Sequence, residues 1–205
     1  MTFIEGIILG IIQGLTEFLP ISSSGHLVLV QEILGLELPG NDFEILLHLG
    51  TLCSILVVFF KDIKNIFLTV SSKETQRFIL MIIIGTLPAL IIGLGLKDLI
   101  AELFDNLLVV GFALIFTGLI LISSFYFNRQ KNEYSIFRSF LIGIAQAVAI
   151  IPGISRSGMT ISCALLLGLD SKQAAKFSFL LAIPVIGGAG ILMVTDIETA
   201  SSIDF

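Results

Sequence analysis

The chain has no tryptophan, two histidines, two cysteines and only 13% charged residues. An average soluble domain is about 25% charged, so this supply is too thin to coat a surface in water. Cys53 and Cys163 both lie in apolar runs. That excludes a disulfide framework and gives no metal cluster. Lys and Arg number 11 against 16 Asp and Glu, for a net charge of -5. No basic face suits a nucleic acid. A cleavable leader is not expected either. The N-terminus lacks a basic segment, and its first apolar run carries Glu5, Gln13 and Glu17.

What the chain has is apolar length. Hydrophobic residues make up 56% of it, and the mean hydropathy is +1.06. Several runs approach the roughly 20 residues that cross a bilayer. The reading is an all-α, polytopic integral membrane protein forming a single domain over 1–205. Four full spans are expected, at Phe43–Phe60, Phe78–Leu96, Leu107–Phe127 and Phe177–Thr195. The remaining apolar stretches, 3–36 and 137–169, are each split by a Pro and a Ser/Gly cluster. Each reads as a re-entrant helical hairpin or, alternatively, as two short spans.

These two stretches repeat each other 133 positions apart. Gly10, Gln13, Ile21, Ser22, Ser24 and Gly25 recur as Gly143, Gln146, Ile154, Ser155, Ser157 and Gly158. Loop charge gives orientation. Lys61, Lys64, Lys73 and Arg77, then Arg129, Lys131 and Arg138, then Lys172 and Lys176 mark three cytoplasmic segments. Segments 37–42 and 97–106 and the acidic tail after Thr195 face outward, and Glu5 and Glu44 sit at the outer interface. Three spans separate the hairpins, so the second copy is inverted. Inverted repeats with interrupted helices bring their polar tips together near mid-membrane. The first repeat covers 1–127 and the second, 137–205, is two helices short of it, so a second copy of the chain is one way to close the gap.

The tips carry the chemistry. In TEFLPISSSGH, 16–26, Pro20 stops one helix near Leu19 and the serines can cap the next. A fresh helix N-terminus is an anion site. In IPGISRSGMT, 151–160, Ser155 or Ser157 plays the same part and Arg156 sits between them. The Arg fork matches phosphate oxygens, so a diphosphate is the expected guest. Glu17 lies four residues after Gln13 on one helix face. It can bind a hard cation such as Mg²⁺ beside phosphate or act as a base. His26 can carry a proton, and Ser22, Ser23 or Ser24 can supply a nucleophile. His48 reads as a helix-packing or supporting residue. The run Gly187–Gly190 reads as close helix packing.

At these motifs the chain resembles the undecaprenyl-diphosphate phosphatase family, the integral-membrane bacitracin-resistance type. The resemblance rests on QGLTEFLPISSSGH (13–26), FEILLHLGTL (43–52), PGISRSGMT (152–160) and FSFLLAIP (177–184). It implies hydrolysis of a polyprenyl diphosphate lipid to its monophosphate, recycling the cell-wall carrier at the plasma membrane. It also implies a divalent cation, Mg²⁺ or Ca²⁺, and a site open to the outer face. Catalytic roles fall on Glu17, His26, Ser23 and Arg156. Phosphate binding falls on Ser22, Ser24, Ser155, Arg156, Ser157 and Thr160, and metal binding on Glu17 and Gln13. Family chains carry two further C-terminal helices. The rival reading is a transporter or flippase for an anionic lipid or small anion on the same architecture, and a third is a non-catalytic scaffold.

Overall fold

The computed structural model describes residues 1–36, 42–126 and 133–203. Among them are ten helices and no strand. A first hairpin is α1 (Phe3–Thr16) and α2 (Ser23–Leu34). Then come α3 (Asp42–Val58), α4 (Phe60–Leu68), α5 (Lys73–Gly95), α6 (Lys97–Phe104) and α7 (Leu107–Tyr126). The second hairpin is α8 (Ile136–Val148) and α9 (Arg156–Leu166), followed by α10 (Ser171–Ile203).

Helices α5 and α7 and the stretch Ser171–Met193 of α10 are long and apolar enough to cross a bilayer. The pair α3 and α4 makes a fourth candidate span, bent by 67° at its break. That corrects the expected straight span ending at Phe60. The chain turns at Phe59, and FKDIKNIFL continues as an amphipathic helix where a loop was expected. Likewise 97–104 is helix α6 and not loop, and α10 runs on through the acidic tail. Segment 37–41, Arg129 and Lys131, on which part of the loop-charge orientation rests, lie outside the described residues.

The hairpin arms are short. At 1.5 Å per residue, α1 is about 21 Å long and α2 about 18 Å, well under a 30 Å hydrocarbon core. The arms of each hairpin pack on each other, α1 on α2 and α8 on α9. The long spans present apolar stripes outward, as in Leu108, Phe112, Ile115, Leu119 and Ile122 of α7. Such a stripe has no place in water and suits lipid. Inside, Met81, Ile142, Phe177 and Leu181 join α5, α8 and α10 in one core. Close packing of α10 on α3 is real at Gly190, where a Cβ would stand 2.6 Å from a Leu49 methyl.

The tightest helix crossing is α8 on α5. A Cβ on Gly143 would stand 2.5 Å from the Gly85 carbonyl oxygen, which is backbone and cannot step aside. Its repeat mate Gly10 has nothing within 4 Å. Gly143→Ala should therefore destabilise by about 1–3 kcal/mol. Gly10→Ala should be neutral, or stabilising by up to about 1 kcal/mol through helix propensity. Thermal unfolding of the two variants in detergent measures the contrast, and equal midpoints would contradict the packing.

Candidate active site

The first hairpin breaks earlier than Pro20 alone dictates. Helix α1 ends at Thr16, with Glu17 as its C-cap. Residues 17–21 turn, and α2 restarts with Ser22 as N-cap, its hydroxyl accepting from the Gly25 N–H at 3.3 Å. Ser22 has φ 69°, in the left-handed region that non-glycine residues avoid. Two bonds hold it there. Its carbonyl oxygen accepts from the backbone N–H of His26 at 3.2 Å and from the His26 Nδ1–H at 2.7 Å.

The second hairpin follows the same plan. Ser155 caps α9, its hydroxyl accepting from the Gly158 N–H at 3.0 Å. Gly153 has φ +91°, and a Cβ there would lie 2.5 Å from the Val110 carbonyl oxygen, so only glycine fits against α7. Thr117 of α7 repairs the broken backbone. Its hydroxyl donates to the Gly153 carbonyl at 3.0 Å and accepts from the Ser155 N–H at 3.0 Å. Buried irregular backbone needs such partners.

The two tips interlock. Ser24 Oγ accepts from the Gly153 N–H at 3.4 Å, and Ser157 Oγ donates to the Leu19 carbonyl at 3.4 Å. Between them, Arg156 Nη2 donates to Glu17 Oε1 at 2.6 Å, across 139 residues of sequence. The other oxygen, Glu17 Oε2, accepts from Ser23 Oγ, from Gln13 Nε2 at 3.2 Å and from His48 Nε2 at 3.2 Å. Glu17 is 7% exposed. A buried carboxylate survives only when paired and hydrogen-bonded, and here four donors do that. Arg156 Nη1 is buried with no partner. A guanidinium N–H left unpaired is costly and marks a donor set that exceeds what the protein itself uses.

A cavity of about 140 Å³ opens onto this pair. Its walls include Glu17, Ser22, Ser23, Ser24, Ser155, Arg156 and Ser157, all expected from the sequence, together with His48 and Phe104. A larger, open cavity of about 730 Å³ lies between α4, α5, Tyr134 and the start of α10. None of the predicted site residues lines it, so size does not identify the site here.

Three predicted residues stand elsewhere. The His26 ring is turned onto the Ser22 carbonyl and does not line the cavity. Thr160 bonds the Arg156 carbonyl and the Ser178 hydroxyl, at 2.9 and 2.6 Å, and so faces α10. Gln13 supports Glu17 from behind the wall. His48, read as a helix-packing or supporting residue, takes the supporting place, against Glu17. Its Nδ1–H donates to the Glu44 carbonyl oxygen at 2.6 Å, which aims Nε2 at the carboxylate. Glu44, expected at the interface, is 3% exposed and accepts from Gln31 Nε2 at 2.7 Å. The signal for His48 was available, because an ionisable residue inside a span is a site candidate by default.

A divalent cation does not fit these side chains alone. Both Glu17 oxygens are taken by four donors, two of them on basic side chains. No group of three or more His, Cys, Asp or Glu gathers among the described residues. The spare oxygen nearby is Gln13 Oε1, buried and unpartnered.

Fold and site together define a helical membrane protein with two broken hairpins locked tip to tip around an Arg–Glu pair and flanked by capping serines. Comparison with known proteins then gives the family. The chain belongs to the bacitracin resistance protein BacA family, whose model matches residues 6–204. It is 45% identical over 199 residues to a Halothermothrix orenii protein, covering 96% of this chain and 76% of that one. It is 47% identical to a Carboxydothermus hydrogenoformans protein, covering 94% and 73%. A Christiangramia forsetii protein is also 47% identical, covering 100% and 81%. All three relatives are called undecaprenyl-diphosphatase.

Proposed function

We propose that the chain hydrolyses undecaprenyl diphosphate to the monophosphate and inorganic phosphate in the plasma membrane, returning the carrier lipid to cell-wall polymer synthesis. The observation that carries the reading is Arg156, fixed by Glu17 through one nitrogen and unpartnered at the other, beside a cavity walled by the starts of α2 and α9. Arginine and helix N-termini both bind phosphate oxygens. The cavity, at about 140 Å³, is below the roughly 300–1,000 Å³ of sites that swallow a whole small molecule. It suits a headgroup whose tail remains in lipid.

On this reading the attacking hydroxyl is that of Ser23, and its bond to Glu17 Oε2 supports the assignment. Glu17 takes its proton as Ser23 Oγ bonds the terminal phosphorus, and the bridging P–O bond breaks with its electron pair on the departing lipid monophosphate. Water then attacks the phosphoserine. Glu17 returns its proton to Ser23 Oγ, and inorganic phosphate leaves. Arg156 and the helix starts face the charge that builds on the transferring phosphoryl group. His26 serves by holding Ser22, and with it the turn that presents Ser23. A divalent cation, Mg²⁺ or Ca²⁺, belongs to this reading as a companion of the diphosphate. It would neutralise phosphate charge, and its oxygen ligands would come from the diphosphate itself, because both Glu17 oxygens are already paired. Against the transporter reading stands the name that the relatives share, undecaprenyl-diphosphatase.

The test is phosphate release from undecaprenyl diphosphate by the purified protein in detergent, with and without a chelator. Turnover that the chelator suppresses is expected. Absence of phosphate release with Mg²⁺ or Ca²⁺ supplied would overturn the reading.

A further inference from the structure

The cavity has one wall that headgroup chemistry does not explain. Its polar surface comes from the two hairpin tips and His48. Phe104 comes from α6, which packs on α5 and α7. That helix is amphipathic, burying Ile100 at 8% exposure and leaving Leu99 at 50%. Phe104 is its last residue and is itself only half-buried. Leu19 and Ile150 also line the cavity and add apolar surface to its wall. A phosphate gains nothing from such surface, and the part of the Phe104 ring left exposed at a polar cavity is unused apolar area.

We propose that Phe104 is a specificity-determining residue which packs against the first isoprene unit of the lipid substrate. The inference rests on the phosphatase reading and deepens it. The cavity takes the diphosphate and is too small for more, so the tail must leave over this apolar surface. The first isoprene then lies on the Phe104 ring, with Leu19 and Ile150 as further apolar surface. A branched, unsaturated hydrocarbon covers such surface, and a bare diphosphate leaves it uncovered.

The experiment compares two substrates differing only in tail, farnesyl diphosphate and methyl diphosphate. Phe104→Ala should lower the ratio of their kcat/KM values at least about tenfold, the scale set by removing an aromatic ring from beneath one substrate and not the other. Phe104→Leu, which keeps apolar bulk, should hold the ratio within about threefold. An unchanged ratio in Phe104→Ala, including an equal fall on both substrates, overturns the proposal.

A second measurement needs no turnover. The chain has no tryptophan, so Phe104→Trp installs a single tryptophan at the cavity wall that can be excited apart from the two tyrosines. Its emission should shift to the blue on adding farnesyl diphosphate and stay put with methyl diphosphate. No shift with the farnesyl compound counts against Phe104 even where hydrolysis is normal. A shift in a protein that releases no phosphate keeps the tail packing and sinks the phosphatase reading instead.

Discussion

Arg156→Ala should lower phosphate release from undecaprenyl diphosphate by about a thousandfold or more per folded molecule, alongside a lowered melting temperature because the buried Glu17 loses a cationic partner. Loss of a single preorganised donor to a developing oxyanion costs about 10²–10³ in rate, and this side chain also supplies the fixed positive charge of the cavity. Arg156→Lys should recover little. Lysine offers a point charge and cannot keep one nitrogen on Glu17 Oε1 while leaving a second for phosphate, as Nη2 and Nη1 do. Steady-state rates with a parallel thermal melt check this. A lysine variant within about tenfold of wild type would show that charge alone is needed and that the fork geometry is idle.

How much of this could be read from the chain follows from where polar residues interrupt apolar ones. The two hairpins were legible because Pro, Ser and Gly in long apolar runs have few explanations, and because the breaks repeat. The meeting of Glu17 with Arg156 follows from two hairpins that touch at their tips, although the two are not repeat mates: at the 133-residue offset Arg156 matches Ser23 and Glu17 matches Ile150. Thr117 is not legible in the same way. It stands in a span that is apolar on nearly every side, so no periodicity says which face is inward. His48 is more legible, since Glu44, His48 and Thr51 recur at helical spacing along one face of α3. Only the fold reveals that Thr117 completes the backbone of the second tip. Helices α4 and α6 escape a sequence reading because their charges look like loop charges. In both, apolar residues recur at helical spacing, and the polar face points to solvent. His26 was assigned by chemistry, as the motif's only imidazole. The local turn decides otherwise, because a strained Ser22 needs its carbonyl held.

Glu17→Ala should abolish turnover and also strip stability, and the two losses can be separated. Removing the carboxylate leaves Arg156 and His48 facing each other without that acceptor, in a site where the Glu17 side chain is 6% and the Arg156 side chain 17% exposed. Breaking a buried pair from one side costs about 3–5 kcal/mol, because the remaining charge keeps its desolvation penalty. The combination Glu17→Gln with Arg156→Met removes both charges at once. Its stability should return to within about 1–2 kcal/mol of wild type, since replacing a whole buried pair by neutral groups is often neutral. Its turnover should stay at zero, because neither the base for Ser23 nor the phosphate fork is present. Thermal melts of wild type, Glu17→Gln, Arg156→Met and the double variant form a cycle that gives the coupling between the two residues directly. If the double variant is no more stable than Glu17→Ala, the ion pair is not the element that joins the two hairpin tips, and Ser24, Ser157 and Thr117 must hold them without it.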